Sequence, residues 1–274
     1  MIKRSFLFAF VLISLSSLSA QTYQEWLDRS YLAADGKDWA SAADCVRNAL
    51  RIEPANPQNG WLLSNMGTYQ RNLGKKADAL QTYTNGLLFA PKSVTLLLNR
   101  AALLLEMDSL KAALDDYDAV LLLDEKNNEA WTSSGEIKIA LNDTVGARRD
   151  FEQALIIESR NIRALSGKAL VMKIVGQYSE SEKIYNQLLS HLPDNQELLF
   201  NRAELYYLYQ KQTKALGDIN KVLKHSENDP LSYFLRGKIH FALYEQELAY
   251  QDFQKAKTLG YRSEELFRWL KKTR

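Results

Sequence analysis

The chain has 274 residues, of which 46% are hydrophobic and 25% charged, with a formal net charge of +2 and one cysteine. That length allows a sizeable core in one or two domains. The charged and aromatic content excludes a disordered tail and a collagen-like fibre. The single cysteine, Cys45, excludes an internal disulfide framework and a zinc site made of several cysteines.

The first twenty residues have the layout of a secretory signal peptide. Residues 1–4 form a short basic start, residues 6–15 are almost wholly apolar, and a serine-rich stretch leads to Ala20. The alternative is an uncleaved membrane anchor, but the apolar run is well short of the roughly 20 residues that span a bilayer. We therefore predict that residues 1–20 are removed and that the mature protein is exported, to a periplasm or to the medium.

Removal of this leader makes the chain formally neutral. The whole chain has 35 basic and 33 acidic residues. The leader contains two of the basic residues, Lys3 and Arg4, and none of the acidic ones, so the basic and acidic residues of the mature chain are equal in number. A neutral chain gives no general electrostatic reason to expect nucleic acid or anionic lipid as a partner. We expect a protein or peptide partner, no nucleic acid, and no membrane span after cleavage.

A period of 34 residues runs through the rest of the chain. The repeats start at Tyr23, Gly60, Val94, Asn128, Ile162, Gln196 and Pro230. The eighth residue is always small: Ser30, Gly67, Ala101, Gly135, Ala169, Ala203 and Gly237. The twentieth is also small: Ala42, Ala79, Ala113, Ala147, Ser181, Ala215 and Ala249. The twenty-fourth is bulky: Val46, Tyr83, Tyr117, Phe151, Tyr185, Ile219 and Phe253. We call each such set of equivalent positions a column. Because the columns keep the same spacing in every repeat, they predict seven copies of one structural unit.

The spacing within a repeat predicts a pair of helices. The fourth, eighth and eleventh residues are separated by four and three positions, so they share one face of a first helix. Small residues in the eighth and twentieth columns let the second helix approach closely, and the bulky twenty-fourth residue fills the space beside that contact. One such pair cannot bury its apolar face alone. We therefore predict one continuous all-α solenoid over residues 23–262 rather than separate domains.

This pattern resembles the tetratricopeptide repeat family. That family has 34-residue repeats with Trp, Gly and Tyr in the first helix, then Ala and Phe in the second. The clearest copy begins at Asn128 and carries Trp131, Gly135, Ala147 and Phe151. The resemblance implies a right-handed superhelical solenoid of antiparallel helix pairs that holds a partner in a concave groove.

The last residues have the pattern of one more helix. Leu266, Phe267 and Leu270 lie at one-face spacing, and Ser263 suits the N-terminus of a helix. We predict that residues 263–274 form a capping helix over the last repeat, because an open solenoid end exposes apolar surface. The alternative is a tail that binds a partner.

No catalytic constellation is visible. The chain has no glycine-rich phosphate loop, no zinc-protease motif, no nucleophile elbow and no calcium loop. His191 and His225 are 34 residues apart and fall at the ends of second helices, where no third ligand recurs beside them. His240 falls in a core column and is interpreted as a buried spacer, and Cys45 as a small packed thiol. We predict no enzyme activity, no metal and no cofactor.

Binding remains as the function. The first hypothesis is a scaffold or adaptor outside the cytoplasm, which holds a peptide or protein segment in the concave groove that the resemblance implies. The second is a glycan-binding envelope protein that stacks exposed aromatic rings on sugars. The third is an enzyme with an unrecognised site, which no residue pattern supports.

The resemblance places the second, fifth, ninth and twelfth residues of each first helix on the groove. Aromatic rings at these positions are candidate anchors, and the charged residues are candidates for setting the register of a ligand. The alternative is that some of the rings pack between neighbouring repeats. The predicted binding residues are Phe200, Glu204, Tyr207, Phe234, Lys238, Phe241, Glu129, Glu136, Arg163 and Lys173.

One known binding mode of the family is not matched. Some members grip the terminal carboxylate of a peptide with an asparagine flanked by basic residues on neighbouring repeats. Asn65, Asn99 and Asn201 match that asparagine, but none has the basic neighbours. We predict that the chain does not capture free acidic chain ends.

Overall fold

The computed structural model describes residues 22–273, and in that range it has fifteen α-helices and no strand. The predicted signal peptide, residues 1–20, lies outside the described residues. The helices are α1 Tyr23–Asp35, α2 Trp39–Ile52, α3 Asn59–Asn72, α4 Lys76–Phe89, α5 Val94–Glu106, α6 Leu110–Leu123, α7 Asn128–Ala140, α8 Thr144–Ile157, α9 Ile162–Ile174, α10 Tyr178–His191, α11 Gln196–Leu208, α12 Gln212–His225, α13 Pro230–Ala242, α14 Gln246–Thr258 and α15 Glu264–Lys272. The odd-numbered helices α1 to α13 are the first helices of the seven repeats, and only α3 begins one residue away from the predicted repeat start.

The chain divides between Leu103 and Leu104, inside α5, into two compact units. We call the part up to Leu103 the N-terminal body and the part from Leu104 onward the C-terminal body. In the N-terminal body α1 packs on α2, α2 on α3, and α3 on α4. In the C-terminal body each helix from α6 to α15 contacts the next one. The all-α fold of consecutive helix pairs is thus confirmed, whereas the continuity of all seven repeats stays a prediction.

A three-residue turn joins the two helices of every repeat. Its middle residue has a positive φ in each case: Lys37, Gly74, Asp108, Asn142, Gly176, Gln210 and Tyr244. Glycine adopts this left-handed conformation without steric cost, which explains Gly74 and Gly176. Asn142 and Asp108 are of residue types that also adopt it, whereas Lys37, Gln210 and Tyr244 carry the steric strain of a larger side chain there.

Within each of the two bodies, the repeat columns form the contact inside the helix pairs. All residues of the twentieth column are fully buried, and those of the twenty-fourth are at most 1% exposed. A Cβ atom added to Gly135 would lie 2.7 Å from Cε1 of Phe151, and one added to Gly237 would lie 2.6 Å from Cε1 of Phe253. The eighth residue is therefore small because the ring of the twenty-fourth residue lies directly against it.

Asparagine or aspartate begins the first helix of four successive repeats. The side chains of Asn127, Asn161, Asn195 and Asp229 accept hydrogen bonds from backbone N–H groups in the first turns of α7, α9, α11 and α13. Such caps satisfy donors that a helix leaves free at its N-terminus. They recur every 34 residues and fix where each first helix starts.

Helix α15 covers the end of the last repeat, as predicted. Ser263 caps it by accepting a hydrogen bond from the backbone N–H of Leu266. Leu266 is fully buried and Leu270 is 8% exposed, but Phe267 is 42% exposed and does not belong to the packed face. Trp269 packs instead, with its ring centroid 5.6 Å from that of Phe253. Trp269 follows Leu266 by three residues and so shares the packed face with Leu266 and Leu270, whereas Phe267 lies on another side of the helix.

Deletion of residues 263–274 is expected to lower the melting temperature by roughly 5–10 °C, because it exposes the apolar surface that α15 buries. Thermal unfolding followed by circular dichroism measures the change. Phe267→Ala is the matched control and should leave the melting temperature almost unchanged, since its side chain is exposed. A deletion variant that melts like the full chain would show that α15 is not a cap.

Candidate functional site

All ten predicted binding residues lie on four first helices of the C-terminal body. These helices, α7, α9, α11 and α13, contact one another in succession. We call the surface formed by their second, fifth, ninth and twelfth residues the first-helix face. The face is built by repetition, since each repeat adds one helix to it in the same orientation.

Two predicted residues of this face form an ion pair between neighbouring repeats. The Arg163 guanidinium on α9 donates from Nε to Oε1 of Glu136 at 3.0 Å and from Nη2 to Oε2 at 2.6 Å. The same Nη2 donates to Oγ of Ser133 at 3.2 Å. The hydrogen bond with Glu136 raises the pKa of Arg163 above its ordinary value. Arg163 is therefore already paired with α7 in the folded chain.

A second ion pair follows in the next repeat. Lys173 of α9 pairs with Glu204 of α11, and the Lys173 side chain is only 5% exposed. Further along, the Lys238 ammonium lies 3.7 Å from a carboxylate oxygen of Glu265 in the capping helix. The first of these pairs links successive repeats, and the second links the last repeat to α15.

Glu129 and Glu197 differ from the other acidic residues of the face. Both are exposed, and neither forms an ion pair among the described residues. On α7, α9 and α11 the face carries four glutamates, Glu129, Glu136, Glu197 and Glu204, against Arg163 and Lys173. This part of the first-helix face is therefore negatively charged.

The two predicted binding rings of the last repeat, Phe234 and Phe241, pack against other aromatic rings. Phe234 is 4% exposed, and its ring centroid lies 5.7 Å from that of Phe253 and 4.9 Å from that of Tyr261. Phe241 is half-buried, with its centroid 5.0 Å from that of Trp269 in α15. Phe234 therefore belongs to the core, which is the alternative that the sequence left open.

The rings of α11 lie closer to the surface. Phe200 and Tyr207 are half-buried and pack against the core cluster around Leu199 and Leu205. The Lys238 ammonium lies 5.5 Å from the centroid of Tyr207, within the range of a cation–π contact. That Phe200, Tyr207 and Phe241 contact a partner stays a prediction.

A pocket of about 240 Å³ opens on the first-helix face between α7, α9 and α11. Its apolar walls include Ile139, Phe151, Leu170 and Leu198. Its polar groups come from Glu136, Arg163, Ser166, Glu197 and Asn201. The pocket joins residues from three consecutive repeats, so it exists only when the repeats are stacked.

Two polar side chains in this pocket have free hydrogen-bonding groups among the described residues. Neither Asn201 nor Ser166 makes a side-chain hydrogen bond within the part of the chain that the structure describes. Both are half-buried, and together they offer amide and hydroxyl donors and acceptors. The pocket can therefore bind an amide or another neutral polar group without breaking an existing contact.

The hydroxyl of Tyr185 lies near the carboxylates of Glu204 and Glu197. It is buried and has no hydrogen-bond partner among the described residues. Burial raises the pKa of this hydroxyl above its ordinary value, and the charges of Glu204 and Glu197 raise it further. Tyr185 therefore stays protonated and neutral at any physiological pH.

We did not predict from the sequence an ion pair that joins the two helices of a repeat and recurs in the last two repeats. Arg202 donates two hydrogen bonds to Asp218, at 2.7 and 2.8 Å, and Arg236 donates two to Asp252, at 2.8 and 2.7 Å. The two pairs are 34 residues apart, and within each pair the arginine precedes the aspartate by 16 residues. That spacing was a signal in the sequence, and it marks a contact that holds the two helices of a repeat together.

Two of the asparagines that match the carboxylate-gripping pattern, Asn99 and Asn201, lie in different surroundings. Asn99 of the N-terminal body donates through Nδ2 to Oγ of Ser64 at 2.9 Å. Asn201 lies in the pocket of the C-terminal body, where the nearby guanidinium of Arg163 is already paired with Glu136. That the chain does not capture acidic chain ends stays a prediction.

The histidines form no metal site in the described residues. His191 and His225 are exposed and end α10 and α12. His240 was predicted as a buried spacer, but its ring makes polar contacts: Nδ1 lies 2.5 Å from Oε2 of Glu245 and Nε2 lies 3.7 Å from Oδ2 of Asp252. None of the described helices is both long and apolar enough to cross a membrane.

The fold has close counterparts among solved structures. No protein-family model and no curated protein sequence matches the chain. A crystal structure of a tetratricopeptide repeat protein from Parabacteroides merdae is 40% identical, with 93% of this chain and 99% of that chain covered and a TM-score of 0.75. PilW, a type IV pilus biogenesis factor, is 20% identical over 79% of this chain and 100% of its own, with a TM-score of 0.69. YrrB, a tetratricopeptide repeat protein with an unusual peptide-binding site, is 19% identical over 69% of this chain and 97% of its own, with a TM-score of 0.52.

Proposed function

The chain belongs to the tetratricopeptide repeat family, and we propose that it is a non-enzymatic scaffold that holds a peptide or protein segment on its first-helix face. The observation that carries this proposal is the pocket between α7, α9 and α11. It combines apolar walls with two polar side chains, Asn201 and Ser166, that have no partner within the described residues. A surface of that composition fits a polypeptide, because each residue has a backbone amide group and some residues also have an apolar side chain.

A protein of similar fold gives a precedent for peptide binding. YrrB, which is 19% identical, is a tetratricopeptide repeat protein with an unusual peptide-binding site. On the first-helix face the glycan hypothesis has less support, because stacking on a sugar needs an exposed ring face. On the first-helix face, Phe234 and Phe241 lie against other aromatic rings of the protein.

We also propose that the protein acts outside the cytoplasm. This proposal rests on the layout of residues 1–20, with a basic start, a short apolar centre and a small residue before the cut. Fractionation of the host cell and N-terminal sequencing of the mature protein test it. A mature chain that begins at Gln21 in the exported fraction is expected, whereas a full-length chain in the cytoplasm would contradict the proposal.

Site-specific photo-crosslinking in the host tests the binding face. A photoreactive amino acid at Leu170, which lines the pocket, is expected to capture a discrete protein partner. The same amino acid at Ile156 is the control, because Ile156 is 75% exposed on α8, a second helix. Capture from position 156 but not from position 170 would place the partner on another surface and refute the proposal.

A further inference from the structure

We propose that the pocket between α7, α9 and α11 selects an extended peptide segment in which an aliphatic side chain is followed by a lysine or arginine. This inference rests on the proposed function and specifies its ligand. The inference follows from the size of the pocket, from the charge around it and from the two polar side chains in it that have no partner among the described residues.

The size of the pocket fits one side chain. Its volume of about 240 Å³ is below the roughly 300–1,000 Å³ that is usual for small-molecule and cofactor sites. The walls are formed by aliphatic side chains such as Ile139 and Leu170, with the ring of Phe151 beneath. An aliphatic side chain entering from solvent would bury its surface there without leaving a polar group unpaired.

The charge around the pocket favours a cation next to that side chain. Arg163 and Lys173 are already paired with Glu136 and Glu204. Glu197 lines the pocket, is exposed and has no ion-pair partner among the described residues. A lysine or arginine of the ligand would meet this free carboxylate, whereas an acidic side chain would meet a face with an excess of negative charge.

The polar side chains of the pocket fit the backbone that joins the two ligand residues. The Asn201 amide carries both donors and an acceptor, and the Ser166 hydroxyl adds one of each. A peptide group has one N–H and one C=O, so this pair of side chains can satisfy it completely. The combination disfavours a free acidic chain end as ligand, because none of the described residues that line the pocket is an unpaired cation.

A set of end-blocked octapeptides tests the inference. Each peptide carries alanine, valine, leucine or isoleucine at one position and lysine, arginine, glutamine or glutamate at the next, within a Gly-Ser frame. Equilibrium binding to the mature protein is measured by fluorescence anisotropy at low salt. The expected result is tightest binding for an aliphatic residue followed by lysine or arginine, with at least a tenfold preference over the glutamate counterpart that shrinks as salt is added.

Charge reversal at one residue provides the decisive comparison. Glu197→Lys is expected to reduce the preference for lysine over glutamate at least tenfold. Glu180→Lys is the matched control, because both glutamates are exposed in the first turn of a helix, but Glu180 lies on the second helix α10. The control should keep the preference of the unchanged protein.

The outcomes separate this inference from the proposed function. A preference for glutamate, an equal response to lysine and glutamate, or no binding by any peptide of the set overturns the inference. If Leu170 still captures a partner by crosslinking in that case, the scaffold function stands and only the ligand class is wrong. If crosslinking at Leu170 fails as well, both the proposed function and the inference fall.

Discussion

Replacement of Phe151 by alanine is expected to lower the free energy of unfolding by about 3–5 kcal/mol. The ring is fully buried and lies against Gly135 of its own repeat and Gly167 of the next one. Both glycines lack a side chain that could fill the cavity left by the ring. The loss therefore removes contacts inside one repeat and between two repeats at the same time.

Chemical denaturation followed by circular dichroism measures this loss. Ile156→Ala on the same helix is the control, because that side chain is 75% exposed, and it should change the free energy of unfolding by no more than about 0.5 kcal/mol. Equal effects of the two substitutions would mean that the twenty-fourth column does not form the core of the repeats.

Replacement of Asp150 by alanine is expected to cost about 3–5 kcal/mol as well, because it leaves a charge buried without its partner. The Asp150 side chain is fully buried and pairs with the ammonium of Lys138, which is 11% exposed. Oγ of Ser134 also donates to Asp150, at 2.7 Å. Without the carboxylate, the nearly buried Lys138 ammonium loses its paired counter-charge.

A double replacement shows whether the buried charge is the cause. Lys138→Met combined with Asp150→Ala removes both charges and is expected to regain most of the stability lost in the single variant. Asp44→Ala is the surface control, since the Asp44 and Arg47 side chains of that ion pair are 64% and 48% exposed. Its effect should stay below about 1 kcal/mol. A double variant as unstable as Asp150→Ala would contradict the explanation.

The period of the sequence predicted the core because each column corresponds to one contact. A small residue such as Gly135 and a ring such as Phe151 recur together whenever two helices approach closely, so the pattern survives differences elsewhere. The turns were harder to predict. Gly74, Gly176 and Asn142 are of residue types that favour a left-handed conformation, whereas Tyr244 adopts the same conformation with a side chain that is 93% exposed.

The candidate site was less predictable, because it depends on parts of the chain outside the repeating pattern. Phe234 has the spacing of a surface ring, but it is covered by Tyr261 of the segment that leads to α15. The pairing of Arg163 with Glu136 depends on the distance between two helices, which no column shows. Glu197 lies at a predicted face position, but its residue type alone does not distinguish it from the paired glutamates of the same face.

Methyl nuclear magnetic resonance on the mature protein tests the central claim most directly, which is that the first-helix face of the C-terminal body holds the partner. The titrant is the partner segment that crosslinking at Leu170 identifies. The methyl groups of Leu170 and Ile139, which line the pocket, are expected to shift as the segment binds, whereas those of exposed Ile156 on α8 should stay in place. Shifts confined to Ile156 and its neighbours, with Leu170 and Ile139 unchanged, would contradict the account.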